Sequence, residues 1–309
     1  MNHQHLAPIS GRVLLSALTT HADLASLHHA HLDSCHLADF PLDLLRLPHL
    51  ISLSLYDNQL SHIPDDITQL RHLKTLNLSQ NQLTAIPHNL GSLGQLQMLD
   101  LGHNHLWALP DSLGELRHLV FLYLSNNQLP HLPPSLAELN QLRYLNITDN
   151  QFQELPAWLG NLRTLVELRV YNNSLVTLPP EIGNLTNLVE LHLQKNQLTT
   201  LPEAIGLLSS LVKLNLQANQ LTELPETIGN LAHLTELDLR FNRLSALPAT
   251  IVNLHALEYL DLRANQLTHL PDNLYSLPHL RKLDLRWNRL EHNPPSLTML
   301  ARRGCLVYT

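Results

Sequence analysis

The chain is short of the residues that most often announce a chemistry. Cysteine occurs twice in 309 residues, at Cys35 and Cys305, and no CxxC pair exists. That excludes a disulfide-stapled secreted module and fits a reducing compartment. Charged residues make up 15% and the formal net charge is −7, so there is no basic footprint for nucleic acid or an anionic membrane. No apolar run approaches the ~20 residues a spanning helix needs. The longest near the start, Val13 to Leu18, has no preceding Lys or Arg and is short for a signal peptide. Cys305 is fifth from the end, so the tail is not a prenylation box. Ten glycines and no polar tract leave no evident disordered linker. GxSxG, the phosphate-binding P-loop and HExxH are all missing. The expectation is a protein that is not an enzyme and carries no cofactor or metal.

What the chain has is a repeat. Residues 188–210, LVELHLQKNQLTTLPEAIGLLSS, are one copy of a unit that recurs every 23 residues without insertion or deletion. With Leu188 as position 1, apolar residues fall at positions 1, 4, 6, 11, 14, 18 and 21. Copies start at Leu27, Leu50, Leu73, Leu96, Leu119, Leu142, Leu165, Leu188, Leu211, Leu234, Leu257 and Leu280. Only Ala30 and Asn293 depart from Leu, Ile, Val or Phe at these positions. Positions 4 and 6 alternate with polar neighbours, as in a short half-buried strand. Pro at position 15 suits the start of a short 3₁₀ or helical return. Such a unit encloses no core alone, so neighbours must stack.

Position 9 is Asn in eleven copies: Asn58, Asn81, Asn104, Asn127, Asn150, Asn173, Asn196, Asn219, Asn242, Asn265 and Asn288. An amide carries donors and an acceptor, and backbone turning inward after a strand loses water and needs both. The expected role is structural, bonding the loops of its own and the neighbouring repeat.

This pattern resembles the leucine-rich repeat family, with its LxxLxLxxNxL core. The second half, as in Leu178-Pro179-Pro180-Glu181-Ile182-Gly183-Asn184-Leu185, looks like the intracellular Ras-group and Scribble-like branch. The resemblance implies an α/β solenoid, a curved horseshoe with a parallel sheet on the concave face and short helical, 3₁₀ or irregular segments on the convex face. Residues 1–26 fall off the repeat and read as an N-terminal cap, with Ser10 capping a short helix. Residues 27–302 hold twelve repeats. Residues 303–309 read as a C-terminal cap in which Leu306-Val307-Tyr308 falls into the phase of positions 4 to 6 as a thirteenth strand. Stacking at ~4.8 Å per strand separates the two cysteines too far for a bridge.

Positions 3, 5, 7 and 8 carry no template duty, so their content is where binding information sits. In repeats 5 to 7 they read Phe121, Tyr123, Tyr144, Asn146, Arg169 and Tyr171. Aromatics are 5% of the chain, and exposed Tyr, Phe and Arg are hot-spot types. Near the C-terminus Asp-Leu-Arg recurs at Asp238/Arg240, Asp261/Arg263 and Asp284/Arg286, with Phe241, Tyr259 and Trp287 close by. The triplets place an acidic row beside a basic row. That is a self-neutralising ladder, or else a second patch that meets an acidic or mixed-charge partner. Histidine is frequent, at 21, largely by template copying at positions 13 and 23. His28, His29 and His31 cluster, but supply no closed ligand set with usual metal spacing.

These readings point to a cytoplasmic, non-catalytic, monomeric protein-interaction scaffold. The resemblance implies a signalling role, with a small GTPase or a kinase as partner. The alternative is the substrate-recognition arm of a larger enzyme or bacterial effector, of ubiquitin ligase or kinase type, with catalysis outside this chain.

Overall fold

The computed structural model describes residues 26–292 and 294–309, together with Val13, Ser16 and Leu24. The expected N-terminal cap helix, and Asn293, lie outside these residues. The chain divides into two compact units, Met1–Asn146 and Ile147–Thr309. Both have the α/β solenoid architecture expected from the repeat.

In the first unit six three-residue strands lie in parallel and in sequence order: β1 (His29–His31), β2 (Ser52–Ser54), β3 (Thr75–Asn77), β4 (Met98–Asp100), β5 (Phe121–Tyr123) and β6 (Tyr144–Asn146). The second unit continues with β7 (Glu167–Arg169), β8 (Glu190–His192), β9 (Lys213–Asn215), β10 (Glu236–Asp238), β11 (Tyr259–Asp261), β12 (Lys282–Asp284) and β13 (Leu306–Tyr308). From β1 to β6 and from β7 to β12 the register is 23 residues from strand to strand, as in Leu191 opposite Leu214. The strand is positions 3 to 5, so position 4 points inward and positions 3 and 5 outward.

The burial pattern follows the template. Leu191, Leu193, Leu198, Ile205, Leu208 and Leu211 are fully buried, and Leu201 nearly so. Among the described template positions, only Leu27, Leu37, Leu109 and Leu290 keep partial exposure. Opposite the strands, each repeat returns through a short 3₁₀ turn such as Glu203–Leu207. Pro202 precedes that turn in an extended conformation (φ −68°, ψ 149°), and its carbonyl accepts the Ile205 N–H at 3.0 Å. Gly at position 19 lets successive turns touch: a Cβ on Gly206 would stand 2.4 Å from the Thr227 carbonyl oxygen. Where position 19 is Thr68 or Val252, the following turn shrinks to three residues, Leu90–Ser92 and Leu274–Ser276.

The Asn ladder does what its chemistry predicts. Asn58 donates to Leu32 O at 2.8 Å in the previous repeat and to Leu55 O at 3.0 Å in its own. Its Oδ1 accepts the Leu37 N–H at 3.0 Å. The same three-way bond recurs at Asn219, with Leu193 O, Leu216 O and Leu198 N–H all at 3.0 Å. Unanticipated is the backbone just before it. Position 8 sits in the left-handed region in every repeat, from Ser34 (φ 52°) to Trp287 (φ 62°), and in none is it glycine.

The C-terminal end departs from the repeat in one respect. The last return is a true α-helix, α1 (Pro295–Arg302), with Leu297 and Leu300 buried. The thirteenth strand forms, but Leu306 pairs with Lys282 and Tyr308 with Asp284. These are positions 3 and 5, one residue away from the expected phase, so Leu306 and Tyr308 face outward and are exposed. The α-helical return is why the phase moves: it is eight residues long where the 3₁₀ turns have five or three. Arg303 then ties the end down by donating to the carbonyls of Tyr275 and Leu277. No helix among the described residues is long and apolar enough to cross a membrane.

Candidate functional site

On the outward face of β5 and β6 the sequence-selected aromatics meet. Phe121 and Tyr144 stand opposite each other in register, with ring centroids 6.4 Å apart. Tyr123 packs against Tyr144 at 4.8 Å. The leucines between them, Leu122 and Leu145, are buried, so the aromatic side chains point away from the core. Phe121 is 41% exposed. Asn146 lies opposite Tyr123. Three aromatic rings held by rigid strands form a broad surface of low conformational entropy.

The second unit carries a charged face. Arg169 is engaged by its own strand, with Nε 2.5 Å from Glu167 Oε1. His192 Nε2 lies 3.0 Å from Glu190 Oε2 and 3.9 Å from Glu167 Oε1. Lys213 reaches both Glu190 (3.7 Å) and Glu236 (3.8 Å). Glu167, Glu190 and His192 each offer a ligand atom within 4.8 Å of the others, a set able to hold a divalent cation. Arg169 and Lys213 already neutralise the two carboxylates, so the set is equally well explained as an ion-pair network. Its members come from two repeats, which is why spacing along the chain pointed instead to His28, His29 and His31. Of these, His29 and His31 lie exposed on β1. Tyr171 lies just beyond β7 and is half-buried.

The Asp-Leu-Arg triplets form the expected acidic row, Asp238 opposite Asp261 opposite Asp284. Two of the three Arg turn to their own Asp. Arg263 clamps Asp261 through Nε (2.9 Å) and a terminal nitrogen (2.6 Å). Arg286 clamps Asp284 likewise at 2.9 and 2.6 Å. Asp284 is fully buried, and burial pushes its pKa up. The Arg286 guanidinium, the Arg286 N–H and nearby Arg263 outweigh that and hold it below the ordinary carboxylate value. The rows are therefore largely self-neutralised, and Arg263 is not presented outward as a cation.

Arg240 behaves differently. Its terminal nitrogen donates to Gln217 Oε1 at 2.9 Å. Its Nε lies 3.1 Å from Asp238 without directing its N–H at an acceptor. Burial dominates at Asp238 and raises its pKa despite the Arg240 N–H and charge. Beside it lies an open hollow of about 300 Å³, lined by Glu236, Leu237, Asp238, Tyr259, Leu260, Asp261 and Lys282. Phe241 and Trp287 flank this region at position 8, exposed by 47% and 66%. Arg286 lies 5.7 Å from the Trp287 ring and 5.2 Å from that of Tyr308. Cys35 and Cys305 form no disulfide, and Cys305 is buried, which raises its pKa.

The comparisons agree with this architecture. A family model for the leucine-rich repeat region matches residues 53–139 and 131–219. Further leucine-rich repeat models match residues 232–290 and 210–231. No curated protein matches the chain. Among solved structures, a leucine-rich repeat protein of Leptospira interrogans is 27% identical, with 96% of this chain and 98% of that one covered and a TM-score of 0.50. A chain from the complex of Latrophilin 3, Unc5D and the leucine-rich repeats of FLRT2 is 26% identical (coverage 86% and 83%, TM-score 0.74). A chain from the Arabidopsis receptor kinase HAESA, solved with the peptide hormone IDA and the co-receptor SERK1, is 32% identical (TM-score 0.68). Of this chain 87% is covered, but only 52% of that one. This protein belongs to the leucine-rich repeat family.

Proposed function

We propose that this chain is a non-catalytic protein-interaction scaffold that holds partner proteins on the outward face of its parallel strands. The observation that carries the reading is the contrast between template and surface. Twelve repeats keep one apolar framework, eleven of them with Asn at position 9, while positions 3, 5, 7 and 8 change from copy to copy. In the first unit that variation gathers Phe121, Tyr123 and Tyr144 into one aromatic patch. Phe241 and Trp287 add to the argument. A bulky side chain in the left-handed region is disfavoured by about 1 kcal/mol, yet both rings stand there exposed. Solved relatives in complexes, one with the peptide hormone IDA and the co-receptor SERK1 and one with Latrophilin 3 and Unc5D, are consistent with protein ligands.

A cytoplasmic location and a signalling role, with a small GTPase or kinase as partner, belong to the same proposal. They rest on the LPxxIGxL half-repeat of the Ras-group and Scribble-like branch and on two cysteines that form no disulfide. The test is site-specific photo-crosslinking in cells. A crosslinking side chain at Tyr123 is expected to trap a discrete protein partner. One at Trp107, more exposed than Tyr123 but in the loop after β4, is expected to trap none. Equal labelling from both sites would reject the reading.

A further inference from the structure

We infer that the rim of loops after β10, β11 and β12 is a docking surface for an acidic peptide segment of a protein partner. Such a segment sets an apolar side chain between Phe241 and Trp287 and carboxylates against Arg243 and Arg289. The inference rests on the scaffold reading and adds the chemistry of one contact.

Two departures from the template coincide. Position 10 is Gln in seven repeats and Arg in two, at Arg243 and Arg289. Position 8 is Phe, Tyr or Trp in two repeats, at Phe241 and Trp287, and they are the same two. The chain reads Phe241-Asn242-Arg243 and Trp287-Asn288-Arg289, with Ala264-Asn265-Gln266 between them. Template copying gives no reason for the aromatic and the arginine to arrive together, nor for the repeat between them to stay small and neutral. In both copies the residues on either side of the Asn are exposed, while the Asn turns inward to bond Leu239 O or Leu285 O.

The backbone holds these side chains in a row. The Phe241 N–H donates to Arg263 O at 2.8 Å and the Ala264 N–H to Arg286 O at 2.9 Å, so position 8 steps from repeat to repeat as the strands do. At ~4.8 Å per step the residues bearing the two rings stand about 10 Å apart, with Ala264 between them, and the two arginines straddle Gln266 at the same spacing. The small residue in the middle leaves room for one apolar side chain. Among the described residues neither Arg243 nor Arg289 pairs with a carboxylate, Glu291 close behind Arg289 included, whereas Arg263 and Arg286 are held by Asp261 and Asp284. The unmatched charge at positions 8 and 10 is therefore positive, and carboxylates are its complement. Asp238, Asp261 and Asp284 run in a row beside it, which disfavours a phosphate backbone and favours an acidic peptide.

The experiment titrates the full chain with capped peptides and follows the Trp287 indole N–H resonance, assigned through Trp287→Phe. The peptide acetyl-Glu-Gly-Leu-Gly-Glu-amide is expected to shift it to saturation and to leave the Trp107 and Trp158 resonances in place. Its counterparts with glutamine for both glutamates, or with glycine for leucine, are expected to bind about tenfold more weakly. Arg243→Gln/Arg289→Gln restores the commonest template residue at both positions and is expected to weaken the parent peptide about tenfold with an unchanged unfolding temperature. No saturation by the parent peptide, equal binding of either counterpart, or a double variant that binds like wild type would each overturn the inference. So would a thymidine oligonucleotide that shifts the resonance at lower concentration than the peptide. Protein capture through Tyr123 is read in parallel. Failure of the peptides with capture intact removes this contact alone, and failure of capture with peptide binding intact removes the scaffold reading.

Discussion

The amide of Asn219 reaches 26 residues back along the chain to donate to the carbonyl of Leu193 at 3.0 Å. In the same position it bonds Leu216 O and accepts the Leu198 N–H. One side chain thus satisfies three buried backbone groups in two repeats. Asn219→Ala leaves the Leu198 N–H without its partner and removes one of two amide donors from Leu193 O and Leu216 O, which Asn196 and Asn242 still bond. At ~1–3 kcal/mol for the orphaned N–H, the variant is expected to lose about 2 kcal/mol. Chemical denaturation checks this, and a loss below about 1 kcal/mol would mean the ladder is not what joins repeats.

Asp238 and Asp284 occupy the same position two repeats apart, yet titration pulls them in opposite directions. The Asp284 pKa is held below the ordinary carboxylate value, so its contribution is present above that value and lost as pH falls through the lowered one. The Asp238 pKa is raised, so ionisation opposes folding near neutrality and the penalty fades as pH falls through the raised value. Asp284→Asn is expected to destabilise the neutral protein by about 1–3 kcal/mol and to flatten its acid transition. Asp238→Asn is expected to leave neutral stability unchanged or higher, with its advantage shrinking in acid. Unfolding followed from pH 7 downward separates the two; parallel behaviour would contradict the assignment.

Phe241 holds φ at 57° with its ring 47% exposed. Phe241→Asn puts a residue tolerant of that conformation in its place and is expected to stabilise the fold by about 1 kcal/mol. If the ring is there for a partner, the same change weakens capture. A gain in stability with no change in capture would make Phe241 a tolerated accident.

Much of this was legible before the structure. The phase of the repeat, the inward leucines, the Asn bonds and the aromatic pair Phe121 and Tyr144 all follow from a strict period of 23 residues. What escaped depends on contacts between copies. The three Asp-Leu-Arg triplets are identical in sequence, and only Gln217, one repeat earlier, diverts Arg240 from Asp238. Arg169 stands at an outward position where Glu167, two residues before it, engages its guanidinium, a period-2 pairing that the sequence does display. The left-handed position 8 was hidden because no glycine marks it. The shift of β13 by one residue follows an α-helical return at α1, which the strict repeat concealed.

The central claim is that a rigid leucine framework presents a variable face that other proteins read. Its most direct test compares partner capture by wild type, by Phe121→Ser/Tyr123→Ser/Tyr144→Ser, and by Trp107→Ser, with unfolding midpoints measured on the same samples. The account predicts that the triple variant loses capture while Trp107→Ser keeps it, and that all three unfold alike. Full capture by a folded triple variant would contradict it.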